Sequence, residues 1–273
     1  MSEVRDILES VAGGRLTVEQ ALGRLSLLQV ARLGEFARLD VGRGLRKGVP
    51  EVVFAAGKSD GALAAIVRRF LEERGVALVT RLVPERAAAL LDTLRDPDLT
   101  VRYDPDARIL EAMNGGYRSP VGSGRIGLLT AGTADIPVAE EAALVARHMG
   151  CDVCRAYDVG VAGVHRLLEP LAEMMERGVD ALVVVAGMEG ALPSLVAALT
   201  DVPVIGVPTS TGYGFGGEGT GALASMLQSC CPGLVVVNID NGVGAGAAAA
   251  LIAARRGGPA EAPECGQVRD TRG

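Results

Sequence analysis

The second half of the chain alternates short runs of β-branched residues with segments of helical periodicity. The runs ALVVVA at 181–186 and VPVIGVP at 202–208 are apolar and bounded by Gly, Pro or charged residues, which is typical of buried parallel strands. Five such strands, each followed by a helical pattern, succeed one another between residues 121 and 256. This order predicts right-handed crossovers and a doubly wound parallel sheet with helices on both faces.

The remaining segments predict two further parts of an α/β protein and a tail. Residues 47–120 are predicted to form a small α/β domain that ends in a hairpin around residues 104–106. Residues 1–46 are predicted to be an N-terminal helical segment, and 121–256 the larger domain with the parallel sheet. Residues 257–273 are rich in Pro, Gly and charge, so we expect a disordered tail.

Composition argues against several classes of function. The net charge is −6, and no cluster of Lys or Arg is interleaved with aromatic residues, so nucleic acid is not an expected partner. The apolar runs are too short to cross a bilayer, and the first residues lack a signal-peptide pattern, so we expect a cytoplasmic protein without a membrane partner. Its five cysteines are expected to be reduced thiols.

Candidate nucleotide-binding residues follow several of the predicted strands. Thr133 and Asp135 stand between the first strand of the larger domain and its helix, where a side-chain cap can leave helix amides free for an anion. A plain helix cap is an equal alternative. His165 is a candidate substrate contact at the start of the next helix, and Arg166 beside it is a candidate phosphate contact. Ser210 lies in a loop rich in glycine and hydroxyl groups.

Two glycine motifs look like nucleotide fingerprints but depart from them. GFGGEG at 214–219 matches GxGxxG, but residues 209–213 separate its first glycine from the strand. We therefore interpret the segment as a substrate loop rather than a hydride-transfer site. Lys58, in GKS, is a candidate phosphate or carboxylate contact, although Val52 stands where a P-loop has glycine. A solvent-exposed lysine in a turn is the alternative.

Three residues carry candidate catalytic chemistry. Glu189 stands where a strand becomes a helix and is a candidate general base. Its alternative role is an acid that stabilises the start of the helix. Cys230, with Cys231 beside it, follows a helix and is a candidate nucleophile. The alternative for any single cysteine is a small buried thiol.

Taken in order, several motifs resemble the LarB family, the enzymes that begin synthesis of the nickel-pincer nucleotide cofactor. The resemblance runs from about Glu51 to Ile252 and rests on PEVVFAAGK, GTADIPVAEEAA, YDVGVAGVHRLL, VVVAGMEGALPSLVAAL, PVIGVPTSTGYGFGGEG, LASMLQSC and NIDNGVGAGAAAALI. The larger domain is also similar to PurE, the aminoimidazole ribonucleotide carboxylase. Ala191 stands where PurE has a histidine before its Leu-Pro pair, which argues against PurE activity. The resemblance implies a PurE-like doubly wound sheet.

The resemblance also implies an activity. The substrate would be nicotinic acid adenine dinucleotide, carboxylated at C5 of its pyridinium ring by CO2 or bicarbonate and cleaved at its phosphoanhydride. The products would be pyridinium-3,5-biscarboxylic acid mononucleotide and AMP. Cys230 would be the nucleophile and Glu189 the proton-handling group. Family members often carry Asn and Ala where this chain has Gln228 and Cys231, so a share of the nucleophile role for Cys231 stays open.

The same resemblance sets further expectations. Thr133, Asp135, His165 and Ser210 would line the nucleotide, and Mg²⁺ would neutralise the diphosphate through ligands that the sequence does not identify. The expected assembly is a homo-oligomer, a tetramer or octamer. Two other functions stay open: a PurE-like carboxylase or mutase acting on aminoimidazole ribonucleotide, and a non-catalytic nucleotide-binding regulator.

Overall fold

A computed structural model of the chain describes residues 2–35, 37–122 and 124–256. The predicted disordered tail, 257–273, lies outside these residues. The helices are α1 (Ser2–Ala12), α2 (Val18–Leu28), α3 (Arg43–Lys47), α4 (Asp60–Arg74), α5 (Pro84–Thr93), α6 (Ile136–His148), α7 (His165–Glu176), α8 (Leu192–Leu199), α9 (Thr220–Leu227) and α10 (Gly242–Arg256). The strands are β1 (Ala31–Leu33), β2 (Ala37–Leu39), β3 (Val52–Phe54), β4 (Val76–Thr80), β5 (Leu99–Asp104), β6 (Ile109–Asn114), β7 (Arg125–Thr130), β8 (Asp152–Ala156), β9 (Ala181–Ala186), β10 (Val204–Pro208) and β11 (Leu234–Val236). Across the described ranges, none of the helices has the length and apolar character needed to span a membrane.

Strands β7 to β11 form a five-stranded parallel sheet in the order β11, β10, β9, β7, β8. The chain starts inside the sheet at β7, pairs β8 on one side, and then crosses to β9 on the other. This confirms the predicted doubly wound sheet. Because the connections after β7 and β9 leave in opposite directions, a crevice opens between the carboxyl ends of these two strands, where such folds bind ligands.

The larger domain has an apolar layer on each face of its sheet. On one face, Ile126 and Leu128 of β7 pack with small side chains of α6 and α10. On the other, Leu129 and Leu182 pack with α7, α8 and α9. Successive side chains of β7 point to opposite faces, with the two-residue period of a strand. Because both faces are covered by helices, the strand is buried on both sides.

Helices α6 and α10 pack with their backbones in close approach, which depends on glycine. A Cβ atom added to Gly246 would lie 2.3 Å from the carbonyl oxygen of Ala142. At Gly242 the corresponding distance, to the carbonyl oxygen of Val138, is 2.1 Å. Neither position has room for a side chain unless the helices move apart.

The smaller domain carries a four-stranded sheet in the order β3, β4, β6, β5, in which β3 and β4 are parallel and the other pairs antiparallel. The hairpin of β5 and β6 agrees with the turn predicted around residues 104–106. The N-terminal segment is not wholly helical, because β1 and β2 form a hairpin whose Ala31 and Leu39 are buried in the same core as β4 and α4. Each of these strands has only three residues, too few for an alternating pattern to be recognised.

Helix α6 lies between the two domains and contacts both. Its Leu144 is fully buried in a cluster with Leu78 and Ile109 from the smaller sheet. Beside this cluster Arg147 forms an ion pair with Glu111, with 2.9 Å between Nη2 and Oε1. The buried His148 places its Nε2 3.1 Å from Oε2 of the same carboxylate. The smaller domain is therefore anchored to the helix that follows the first strand of the larger sheet.

The close approach of α6 and α10 can be tested with a pair of glycine substitutions. Gly246→Ala should lower the free energy of unfolding by about 1–3 kcal/mol, because the new methyl group forces the two helices apart. Gly61→Ala in α4 is the matched control: nothing lies within 4 Å of its added Cβ, so a gain of about 0.5–1 kcal/mol is expected. Urea denaturation measures both. Equal effects of the two substitutions would contradict the close packing.

Candidate functional site

Six of the eight predicted site residues lie beyond the carboxyl ends of the large parallel sheet. They stand in the connections after β7, β8, β9 and β10 or at the helix starts that follow, and are Thr133, Asp135, His165, Arg166, Glu189 and Ser210. The two connections that border the crevice between β7 and β9 carry three of them: Thr133, Asp135 and Glu189. The fold therefore gathers these side chains at one edge, as the sequence predicts for parallel strands.

Asp135 ties three of these connections together. Its carboxylate is buried and accepts hydrogen bonds from the Gly132 amide at 3.0 Å and from the Thr209 hydroxyl at 2.7 Å, with a further bond from the main chain of Gly187. Burial raises the pKa of Asp135, although these three hydrogen bonds oppose the shift. The side chain makes no capping bond to α6 itself, but its bond to the Gly132 amide caps the short 3-10 turn, Thr133–Asp135, that leads into α6. It faces inward because the hydroxyl of Thr209 provides a partner across the sheet.

Glu189 projects from a tight turn after β9. Met188 and Gly190 on either side of it both have positive φ angles, of 52° and 64°. The Met188 amide donates to the carbonyl oxygen of Thr211 at 2.9 Å, which joins this turn to the connection after β10. A Cβ at Gly190 would lie 2.7 Å from the carbonyl oxygen of Ala222, so the turn rests directly on α9. The exposed Glu189 carboxylate is thus carried on a fixed backbone and is open to a ligand.

The segment from 209 to 219, which we call the substrate loop, is held at its start by Asp240. The Ser210 amide donates to Oδ1 of Asp240 at 2.8 Å, and the Asp240 amide donates to the carbonyl oxygen of Pro208 at 2.8 Å. In the sequence Asp240 stands about where a dinucleotide fingerprint would place its ribose-binding acid. In the structure its carboxylate is engaged by the Ser210 amide and holds the start of the loop, and the interpretation of this glycine-rich segment as a substrate loop stays a prediction.

The three remaining site residues at this edge differ in how freely a ligand can reach them. Thr133 and His165 are exposed at the edge. Arg166, predicted to contact phosphate, forms an ion pair with Asp158 in which Nη1 and Oδ2 are 2.6 Å apart. A phosphate at Arg166 would share the guanidinium with this carboxylate.

Lys58 belongs to the smaller domain, in the turn after β3. Its Nζ donates to the carbonyl oxygen of Phe54 at 2.8 Å. Arg86 fixes the turn by donating to the carbonyl oxygens of Ala55 at 3.0 Å and Lys58 at 2.7 Å. Lys58 is thus half-buried and folded back on its own turn rather than extended into solvent.

Cys230 follows α9 and is exposed, whereas Cys231 is half-buried against the core of the larger domain. Because Cys230 is exposed, it is not the small buried thiol that was the alternative interpretation. Ser229 anchors this segment, because its Oγ accepts from the Ser194 hydroxyl at 2.8 Å, in the first turn of α8. Glu189 lies shortly before the start of α8. Within the described part of the chain, however, no direct contact joins Cys230 to Glu189.

Sequence reasoning missed a charged pair between the domains. Arg81, directly after β4, places Nε 3.1 Å from Oε1 of Glu141 on α6. Only 6% of the Glu141 side chain is exposed, and burial raises its pKa to about 7, against the opposing effect of Arg81. An acidic residue in the middle of a helix gives no local signal of such a partner.

No metal site is formed by the protein side chains in the described ranges, since no group of three or more His, Cys, Asp or Glu is placed to hold an ion. The side chains of the described residues do not provide a full set of ligands for Mg²⁺. We therefore expect Mg²⁺ to bind through the phosphate oxygens of a substrate, and we assign no catalytic step to the ion.

Comparisons with known proteins cover both domains. Residues 30–114 match the model of the LarB/PurE-like N-terminal domain, and residues 125–262 match that of AIR carboxylase. An uncharacterized protein of Methanocaldococcus jannaschii is 43% identical over 253 residues, which is 92% of this chain and 96% of that protein.

The larger domain alone is similar to N5-carboxyaminoimidazole ribonucleotide mutases. The N5-carboxyaminoimidazole ribonucleotide mutase of Thermotoga maritima is 33% identical over 135 residues, 47% of this chain and 74% of that enzyme. The mutase of Pyrococcus abyssi is 34% identical over 137 residues, 49% of this chain and 73% of that enzyme. Fold and family matches together define a LarB/PurE-like carboxylase class. With both of its characteristic domains present in order, the chain belongs to the LarB family.

The buried Glu141 predicts a pH dependence of stability. Its pKa in the folded protein is raised from 4.5 to about 7. The stability that Glu141 contributes to the folded state is therefore fully present below pH 4.5 and is lost as the pH rises through about 7. The Glu141→Gln variant does not show this loss of stability, because glutamine does not titrate. Relative to wild type, the variant should therefore gain on the order of 3 kcal/mol in unfolding free energy between pH 4.5 and 8.

Urea denaturation at a series of pH values measures this gain. Glu72→Gln, at an exposed position of α4, is the control for removal of a charge. A constant difference between Glu141→Gln and wild type across this pH range would show that Glu141 does not titrate with a raised pKa.

Proposed function

We propose that this protein carboxylates C5 of the pyridinium ring of nicotinic acid adenine dinucleotide and hydrolyses its phosphoanhydride, releasing pyridinium-3,5-biscarboxylic acid mononucleotide and AMP. The observation that carries this proposal is the gathering of Thr133, Asp135, Glu189 and Ser210 at the crevice edge of a LarB-family chain. Nucleotides bind at this edge in doubly wound sheets.

The covalent chemistry follows from the electron-poor ring. The Cys230 thiolate would add to an activated ring carbon next to C5, which converts the ring to an enamine that is nucleophilic at C5. C5 then attacks CO2 and forms the new carbon–carbon bond. Glu189 would remove the C5 proton, and departure of the thiolate would restore aromaticity. The exposure of both side chains supports access to the ring.

The substrate loop offers surfaces for a planar base. Tyr213 and Phe215 are strongly exposed, at 82% and 111% of their reference areas, between glycines that leave the loop few side chains to pack. Aromatic faces stack on nucleobases with little preference for sequence or base type. This supports binding of the adenine half of a dinucleotide at the loop that Asp240 holds.

A PurE-like reaction on aminoimidazole ribonucleotide is the second candidate, and the similarity to the mutases favours it. Ala191 argues against it, since the imidazole of the PurE pattern is missing at the start of α8. Turnover of aminoimidazole ribonucleotide with CO2, or of its carboxylated form, would establish it. A nucleotide-binding regulator would instead bind the dinucleotide and leave it unchanged. The cytoplasmic location and the tetramer or octamer stay predictions.

The covalent role of Cys230 is tested by intact-mass analysis with nicotinic acid adenine dinucleotide, bicarbonate and Mg²⁺. Wild type should show an adduct and form product, whereas Cys230→Ala should show no adduct and lose product formation by on the order of a thousandfold or more. Cys231→Ala is the matched control and should keep both. Equal product from Cys230→Ala and wild type would exclude Cys230 as the nucleophile.

A further inference from the structure

Arg81 is the point at which the smaller domain reaches the edge that carries the candidate site. Its guanidinium carbon lies 5.1 Å from the centre of the Phe54 ring, at the end of β3. Nη2 donates to the carbonyl oxygen of Asp240 at 2.5 Å, while Nε faces Glu141. One side chain thus joins the ends of β3 and β4 to the loop after β11.

Asp240 connects Arg81 to the substrate loop. Its carbonyl oxygen accepts from Arg81, its carboxylate accepts from the Ser210 amide, and its own amide donates to Pro208. All three groups of Asp240 that can form hydrogen bonds are engaged. A movement of the Asp240 backbone would therefore move the first residues of the substrate loop.

The backbone at both ends of this chain of contacts is in an unusual conformation. Arg81 and Asp240 each have a φ angle of 56°. The left-handed region is unfavourable for a residue with a side chain, because its Cβ atom crowds the following carbonyl oxygen. Such a conformation persists only where surrounding contacts fix it, and it is concentrated at functional positions.

Glu141 gives the arginine a single orientation. The buried carboxylate binds Nε, which directs the other side of the guanidinium to Asp240. An arginine fork can bind two acceptors at once in a fixed geometry, which the single ammonium group of lysine cannot reproduce. The pair lines a cavity of about 310 Å³ between the domains, together with Asn238, Asp240 and Asn241.

We propose that Arg81 is a positioning residue: from the smaller domain it fixes Asp240, and through Asp240 it fixes Ser210 and the substrate loop in the conformation that receives the nucleotide. The smaller domain thereby controls the site without contributing to the chemistry. The consequence for turnover rests on the proposed function, but the effect on the loop does not.

Hydrogen–deuterium exchange of the full chain tests the effect on the loop. In Arg81→Met, peptides covering 209–219 and 237–241 should exchange at least about tenfold faster than in wild type, because the contact that fixes Asp240 is lost. Arg81→Lys should give a smaller increase, and it carries the same test if Arg81→Met fails to fold. Unchanged exchange in both peptides in the folded variant would overturn the proposal.

The matched control is Arg125→Met. Arg125 also binds one carboxylate, that of Asp152 at 2.9 Å, and one main-chain carbonyl, that of Arg177, but it stands at the start of β7 at the opposite edge of the sheet. This variant should leave exchange of the substrate loop as in wild type. Equal acceleration by Arg125→Met would show that the effect reflects general loss of stability, and would overturn the specific role of Arg81.

Steady-state kinetics separates positioning from loss of folded enzyme. Arg81→Lys should raise KM for the dinucleotide by about tenfold with a smaller change in kcat, whereas loss of folded enzyme would lower kcat alone. A fall in kcat alone would contradict the positioning role of Arg81. If wild type carboxylates no dinucleotide, the proposed function fails, and the exchange result still decides whether Arg81 holds the loop.

Discussion

The buried carboxylate of Asp135 is the constraint on which the candidate site depends. Taking a carboxylate out of water costs several kcal/mol unless hydrogen bonds replace the lost hydration. Here those bonds come from Gly132, Gly187 and Thr209, which belong to the connections after β7, β9 and β10. The same bonds that make burial tolerable therefore fix the three connections relative to one another, and the turn that carries Glu189 comes directly after Gly187.

The two domains are linked by the helix that begins after Asp135. Helix α6 contributes Leu144 to a cluster with the smaller sheet, and its Glu141 and Arg147 bind residues of that sheet or its connections. The smaller domain is thus attached next to the candidate site rather than at a distance from it. This arrangement explains how an arginine after β4 can reach the loop after β11.

Much of the fold could be predicted because its signals are local. A β-branched run between helical patterns identifies each parallel strand by itself, and parallel strands place the residues after their carboxyl ends at one edge, which located Glu189 and Ser210. Contacts between distant segments give no such signal: Arg81 is 60 residues from Glu141 and 159 from Asp240. The inward orientation of Asp135 was missed for the same reason, since its partner Thr209 is 74 residues away.

The proposed activity is carboxylation of a pyridinium dinucleotide by the site at the crevice edge of this sheet. Its most direct test is mass spectrometry of the products after wild-type protein is incubated with nicotinic acid adenine dinucleotide, ¹³C-labelled bicarbonate and Mg²⁺. The expected products are AMP and a mononucleotide that carries one labelled carboxyl group on its pyridinium ring. Recovery of the unchanged dinucleotide, or of cleavage products without the label, would contradict it.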